Sequence, residues 1–416
     1  MTDHKKNIVE RFKKYIKINT QSANGVESFP STPKQLELGK MVADDLKAAG
    51  LTDAICTEEG FVLATIHGNV PNVDKVPVLG FLGHLDVSPD SPADNIKLRL
   101  IENYQGGEIK FPANPDVKLD YNNAPGLKKC IGHTIMTSDG TTLFSIDDKA
   151  ALAVLVELAH YYKENPKEPH GNIRIAIIPD EEIGVGTEKL SLKQFGADIA
   201  YTLDGGALGE IDVESFNGFM GKIEVEGYVS FPGYGKGVYL SSIQVLSKFI
   251  SSMQMERWPQ NCDKRQSIWW VDDIKGGVGK TSASIYLRAF DLKDIEEMKK
   301  VLNGIKENIL KEFPKAKINI NINETYLNYK KELDKDPRVV KYAEEAMKRI
   351  GIEPIHKYVR GGNDSCHLCR SGLISTNLFI GMNDMHSVIE WGTVETIYNA
   401  FRTSISLAKV WSETTK

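Results

Sequence analysis

Three short apolar runs constrain this chain more than anything else in it. Val76 to Gly83, Asn172 to Pro179 and Ile199 to Leu203 carry almost no interrupting polar residue. A strand with one wet face alternates, so an unbroken run belongs to a strand covered on both faces, as in a sheet flanked by helices. Each run stops at reactive side chains: Gly83-His84-Leu85-Asp86, Asp180-Glu181-Glu182-Ile183-Gly184 and Asp204-Gly205-Gly206. Open α/β sheets build their sites at such strand ends. His84 and Asp86 are two apart, so on extended backbone they point to one side. Three consecutive acids at a strand end are costly to cluster without a cation.

A fourth segment meets the same description. Ser138 to Leu143 is a turn rich in small polar residues, and it leads through Ile146 into Asp147-Asp148-Lys149. A helical pattern follows, with Leu152, Leu155, Val156 and Ala159 on one face. Asp at a helix mouth is ordinarily an N-cap that suits the positive end of the dipole. Three strand ends and one helix start that all deliver acids or a His are poorly explained as solvated surface. The pattern predicts a metal site.

At 416 residues the chain is too long for one ordinary core, and two domains are expected. The net charge of −5 gives no basic footprint for nucleic acid or an anionic membrane. The first 20 residues form an amphipathic pattern without the apolar core of a signal peptide. No window approaches the roughly 20 apolar residues of a membrane span. Five cysteines, scattered at 56, 130, 262, 366 and 369, suit a reducing compartment, so the cytoplasm is the expected location. Cys366 and Cys369 form a single C-x-x-C without a second pair, which reads as structural.

Residues 87–137 are rich in Pro, Asn, Gly and charge, and predict an irregular excursion. From about Ile211 the texture changes. Strands are expected at Lys222 to Glu226, Trp269 to Ile274, Ser282 to Phe290 and Lys317 to Ile322. Helices are expected at Gly237 to Ser252 and through Leu292, Ile295, Met298, Leu302, Ile305 and Ile309. Apolar character returns in a strand at Leu373 to Ile380. The second domain is therefore an α+β insertion: residues 1–209 and 325–416 are expected to form the domain with the metal site, and 210–324 the inserted one.

Lys275-Gly276-Gly277-Val278-Gly279-Lys280-Thr281 resembles the variant phosphate loop of ParA-type ATPases residue for residue. Phosphate binding needs a helix after the loop, whose free N–H groups hold the anion. Ser282 to Arg288 instead alternates with period two and is rich in β-formers. The glycines therefore predict a hairpin turn and no nucleotide site.

Taken in order, the motifs around His84, Asp147, Glu181, Asp204 and the late His386-Ser387-Val388-Ile389-Glu390-Trp391 resemble the co-catalytic zinc exopeptidases. That family includes carboxypeptidase G, aminoacylase and peptidase T. Thr137 to Leu143, Asn103-Tyr104-Gln105-Gly106-Gly107 and Arg360-Gly361-Gly362-Asn363-Asp364 are similar to the peptidase T branch. The resemblance implies an α/β zinc-exopeptidase fold, a mixed sheet flanked by helices, with the insertion as lid and dimerisation module. It implies two Zn2+, with Co2+ or Mn2+ as substitutes. His84 and Asp204 would bind the first metal, Glu182 and His386 the second, and Asp147 both. Asp86 would orient His84 by accepting its other N–H, and Asp148 would help set the turn. Glu181 would be the general base, acting on a metal-bridging water. Arg288 and Arg360 match family arginines that grip a peptide's terminal carboxylate. The implied activity is release of the N-terminal residue from small peptides, above all tripeptides. The implied assembly, if any, is a homodimer through the inserted domain.

The resemblance breaks on what would be the substrate side. Phe231, in Ser230-Phe231-Pro232-Gly233, stands where the family places a lid His that stabilises the oxyanion. Ser241-Ser242 replaces Asn-Ala, Ala289 an Asp, and Ser365 a Gly. No His lies between 171 and 355 to substitute. Two alternatives follow: a relative with an intact metal site but weak or lost peptidase activity, or a hydrolase of another small amide.

Overall fold

In the computed structural model, residues 3–414 are described. The chain divides into two compact units. The first holds residues up to Val213, Glu332–Lys357 and those from Asn363 onward; the second is Glu214–Lys331 with Tyr358–Gly362. The second unit thus reaches past the expected end at 324 and recovers a short piece of chain later.

The first unit is built on an eight-stranded mixed sheet, so the α/β class holds. Its strand order is Ile55–Cys56, Val62–Ile66, Ile173–Ile178, Leu79–His84, Ile199–Gly205, Ser375–Phe379, Glu210–Ser215 and Ile355–Val359. The four strands from Ile173–Ile178 to Ser375–Phe379 run parallel, and every residue of the first three except Arg174 and Asp204 is buried. Register decides the rest: His84 lies beside Ile178, and Leu82 beside Thr202. His84, the Pro179–Glu182 turn and Asp204 therefore leave the sheet at one edge.

The helix Ile146–Glu164 crosses this sheet and is buried on every side from Ile146 to Ala159, not on one face as its periodicity suggested. It is sandwiched between the strand Leu79–His84 and the helices Asp3–Tyr15 and Val394–Ser412. Ala150, Ala151 and Ala153 let it lie close, and Gly83 lets it closer still. A Cβ at Gly83 would fall 2.8 Å from Asp148 Oδ2 and 3.0 Å from the Ala151 Cβ.

Residues 87–137 are more ordered than expected. Arg99–Ile101, Ile135–Thr137 and Trp391–Thr393 form a three-stranded sheet, and Ile109–Lys110 pairs with Lys118–Leu119. Their core gathers Tyr104, Phe111, Leu119, Leu127 and Trp391, residues too widely spaced to show a local period.

The second unit is a four-stranded antiparallel sheet in the order Ile268–Gly276, Lys280–Ala289, Asn217–Glu226 and Lys317–Tyr326. Ile223, Val225, Ala283, Ile285 and Leu287 alternate inward against the helices Ser242–Ser251 and Leu292–Glu312. The first of these helices starts five residues later than the sequence suggested. Leu240 is held in a bridge with Tyr228, and Ser241 takes the extended N-cap conformation. The glycine-rich segment is a hairpin turn, with Gly276 paired to Thr281 and a strand after it, as expected. No helix among the described residues is long and apolar enough to cross a membrane.

Candidate metal centre

His84, Asp147 and Asp204 form one group of converging donor atoms, and Asp147, Glu182 and His386 a second. In each, the donors lie within 4.8 Å of one another, and Asp147 belongs to both. His84 Nε2 is 2.9 Å from Asp147 Oδ1 and 3.7 Å from Asp204 Oδ1. His386 Nε2 is 3.3 Å from Asp147 Oδ2 and 2.9 Å from Glu182 Oε2. One Asp147 oxygen thus faces each group. Glu181 stands at the edge, its Oε2 4.0 Å from His84 Nε2.

The backbone explains how neighbouring acids part company. Asp147 and Asp148 are non-helical, so the regular helix begins only at Lys149. Asp148 turns inward, where its Oδ2 accepts the His84 N–H at 3.0 Å. Of the three acids Asp180 to Glu182, only two reach the centre. Asp180 is fully buried and turned away, accepting the Ser31 N–H and the Gln35 amide at 2.6 and 2.7 Å. Gly186 closes this turn, because a Cβ there would sit 1.8 Å from the Pro179 carbonyl oxygen.

Asp86 does something other than expected. The nearest acceptor for His84 Nδ1 is the Asp86 carbonyl at 3.1 Å, while its carboxylate is 3.5 Å away. That carboxylate instead accepts the backbone N–H groups of Glu181 and Glu182. Its geometry is that of a positioning residue for the glutamate turn.

Three groups that sequence reasoning passed over complete the surroundings. Asp90 lies 3.3 Å from His386 Nδ1, orienting the ring from outside. Glu390 is buried, and its carboxylate accepts the N–H groups of Phe144, Ser145 and Asp147 at 2.6, 2.9 and 3.2 Å. It lay inside a quoted motif, so the signal existed without a role attached. Asn377 pairs with the backbone of Asp204.

The electrostatics are those of crowded acids held by shared protons. Burial alone would depress both imidazoles, but the carboxylates win: Asp147, Asp204 and Asp86 raise His84 well above its usual value, and Asp147 with Glu182 raises His386 to about 11. Burial and Asp147 push Glu182 up to about 8. Burial, then Asp364, raises Glu181 well above the carboxylate range. Asp147 goes the other way: burial is outweighed by His386 and His84, and it is held below the usual range. Divalent cations would replace those protons. Asp204 Oδ1 and Glu182 Oε1 are buried without hydrogen-bond partners, so the donor set has lone pairs to give. Imidazole nitrogens with carboxylate oxygens suit zinc, so the residues present fit two such ions.

Both expected substrate residues, Arg288 and Arg360, belong to the second unit. Arg288 sits among the rings of Trp270, Tyr286 and Tyr326, at 5.7, 5.5 and 4.8 Å, with only two long contacts to carbonyls. Arg360 points its guanidinium at the Cys262 and Gln266 carbonyls, which makes it a brace for that loop. Three of the departures from the family pattern are internal packing. Ala289 is fully buried in the second unit's core. Ser242 donates to the Gly277 carbonyl beneath the hairpin turn, and Ser365 faces Ser375 in the first unit. Phe231 differs, being 70% exposed.

The profile of peptidase family M20/M25/M40 matches residues 143–409. Peptidase T of Clostridium perfringens is 36% identical over 408 residues, covering 98% of this chain and 100% of that one. Among solved structures, aminopeptidase PepT from Bacillus cereus superposes with a TM-score of 0.75 at 20% identity, covering 98% of each chain. A dinuclear metal-binding peptidase from Bacillus subtilis gives 0.65 at 14% identity, over the whole of both chains. With its motifs in place across nearly its full length, the chain belongs to peptidase family M20/M25/M40 and is an enzyme, a hydrolytic metallo-aminopeptidase.

Proposed function

We propose that this enzyme releases the N-terminal residue from small peptides, tripeptides above all, with two zinc ions as its resident metals. The observation that carries the reading is the sharing of Asp147 between two three-donor groups. His84, Asp147 and Asp204 would hold one ion and Asp147, Glu182 and His386 the other; Co2+ or Mn2+ would suit the same donors. When bound, such a pair polarises the scissile carbonyl and favours ionisation of the attacking water. Glu181, unattached to either group, takes the proton of that water and hands it to the leaving amine. Its carboxylate stands at the edge of the centre, Oε2 4.0 Å from His84 Nε2, within reach of a water held there. Asp86 holds Glu181 at the backbone, and Asp90 and Glu390 fix His386 and the Asp147 turn. Of the two arginines, Arg288 is the better candidate for a terminal carboxylate, since Arg360 already serves two carbonyls. A cytoplasmic location is proposed from the scattered free cysteines, and a homodimer through the second unit from the resemblance.

The test is hydrolysis of a panel of di- and tripeptides by zinc-loaded protein, with Glu181→Gln as control. Tripeptide turnover that disappears in the control is the expected result. No turnover from protein carrying two metals favours the second reading, a relative that keeps the centre and has weak or lost activity, which Phe231 motivates. Turnover confined to other small amides would make it a hydrolase of a different substrate class.

A further inference from the structure

We propose that Asn377, braced by the buried Asp212, is a positioning residue for Asp204 alone. In this role it sets the metal affinity of the His84–Asp147–Asp204 position and leaves the Asp147–Glu182–His386 position untouched. The inference rests on the two-metal reading above.

Asn377 lies on Ser375–Phe379, the strand beside Ile199–Gly205, where the register between the two is irregular. There its side chain replaces the missing ladder. Its Oδ1 accepts the Asp204 N–H at 2.9 Å and the Thr202 hydroxyl at 2.7 Å. Its Nδ2 donates to the Asp204 carbonyl at 2.8 Å and to Asp212 Oδ2 at 2.9 Å. Asp204 offers both a donor and an acceptor, and Asp212 an acceptor, so only one orientation of the amide satisfies all four bonds. Asn377 and Asp212 are 3% and 4% exposed, so water offers little replacement. Asp204 Oδ1 has no hydrogen-bond partner, with His84 Nε2 3.7 Å away, so the placement of this oxygen leans on the backbone that carries it. The second position is held differently. Glu182 hangs from Asp86, and His386 from a loop closed by the Asn383–Trp391 bridge. Among the described residues, neither is hydrogen-bonded to Asn377. Outer groups of this kind tune metal affinity through the ligands they hold.

The test is a Co2+ titration, followed by calorimetry and by the visible absorption of the bound ion, in two backgrounds. His386→Ala leaves the His84–Asp147–Asp204 position, and His84→Ala leaves the other. Asn377→Asp keeps the size and the Oδ1 acceptor, loses both Nδ2 donors and faces Asp212 with a second acid. It should lower Co2+ affinity about tenfold or more in the first background, with an altered spectrum, and leave the second unchanged. Adding Asp212→Asn, which returns a donor, should recover part of the loss. Thr202→Val, which removes only the hydroxyl bond, should leave both positions as they were. If Asn377→Asp does not fold, Asp212→Ala carries the same comparison, with a smaller loss confined to the first background. Equal losses in both backgrounds, no loss at all, or a Thr202→Val effect as large as that of Asn377→Asp would overturn the proposal. Fewer than two Co2+ bound by the unaltered chain would instead sink the two-metal reading on which it stands.

Discussion

The Asp86 carboxylate accepts the backbone N–H of Glu181 at 2.9 Å, and through its other oxygen that of Glu182 at 3.1 Å. One fully buried side chain therefore ties the end of the His84 strand to the turn that carries Glu181 and Glu182. Asp86→Ala would leave two N–H groups unpaired in a buried place, at about 1–3 kcal/mol each. The expected result is a lower melting temperature and a fall in kcat larger than any change in KM, since the turn shifts and the binding surface does not. Asp86→Asn keeps one acceptor oxygen and should fall between. Thermal melts and steady-state kinetics on a tripeptide check this; an unaltered kcat in Asp86→Ala would refute it.

What could be foreseen along the chain was whatever local pattern encodes. The unbroken apolar runs showed which strands are covered on both faces, and their ends exposed His84, Glu182 and Asp204 as neighbours-to-be. Period-two alternation in 282–288 was enough to reject the phosphate loop. What lay hidden depends on contacts across the fold. Asp180 looked like a third acid of the cluster until Ser31 and Gln35 were seen to claim it. Asp90 sits in a Pro-containing loop with no period, and Asn377 in the middle of a strand that reads as core. Ala289 and Ser242 looked like changes at a substrate surface because the resemblance placed them there; burial makes them packing residues.

The hairpin at 276–281 gives a contrast between adjacent glycines. Gly276 has φ +133, and a Cβ there would lie 2.3 Å from the Lys280 carbonyl oxygen, whereas nothing lies within 4 Å of one at Gly277. Gly276→Ala should destabilise by more than about 1 kcal/mol, since a side chain there is strained in both dihedral and contact. Gly277→Ala should stay within about 0.5 kcal/mol of the parent. Urea unfolding measures both. In the same assay ATP with Mg2+ should give no stabilisation, and a shift with ATP would restore the nucleotide reading rejected above.

Burial should also silence two thiols. It pushes Cys130 up to about 11 and Cys369 up to about 12. At pH 8 about one Cys130 thiol in a thousand would be ionised, and fewer at Cys369, and the thiolate is the reactive form. Neither should take up iodoacetamide in the folded enzyme over a time that labels an unfolded control completely. Mass mapping after digestion locates the label. Rapid modification of Cys369 in native conditions would show that the short helix Asp364–Arg370 opens far more readily than its burial implies.

Phe231 is the residue on which the catalytic reading most depends. It sits at the N-cap of the short turn Pro232–Tyr234, 70% exposed, its ring 5.7 Å from that of Tyr234. Tyr228, Val229 and Tyr234 are exposed as well, so this loop presents apolar surface where the family resemblance calls for a hydrogen-bond donor. A phenyl ring cannot donate to a developing oxyanion, and losing one such donor costs about 2.7–4 kcal/mol of transition-state stabilisation. Because the ring packs on no core, Phe231→His should change stability by less than about 0.5 kcal/mol. If the resemblance holds at this position, the imidazole should raise kcat on tripeptides by about tenfold or more while leaving metal content unchanged. Steady-state kinetics beside metal analysis decides it. A kcat that does not rise, in a variant that melts with the parent, would mean that the oxyanion is met by another group or that the substrate is not a peptide.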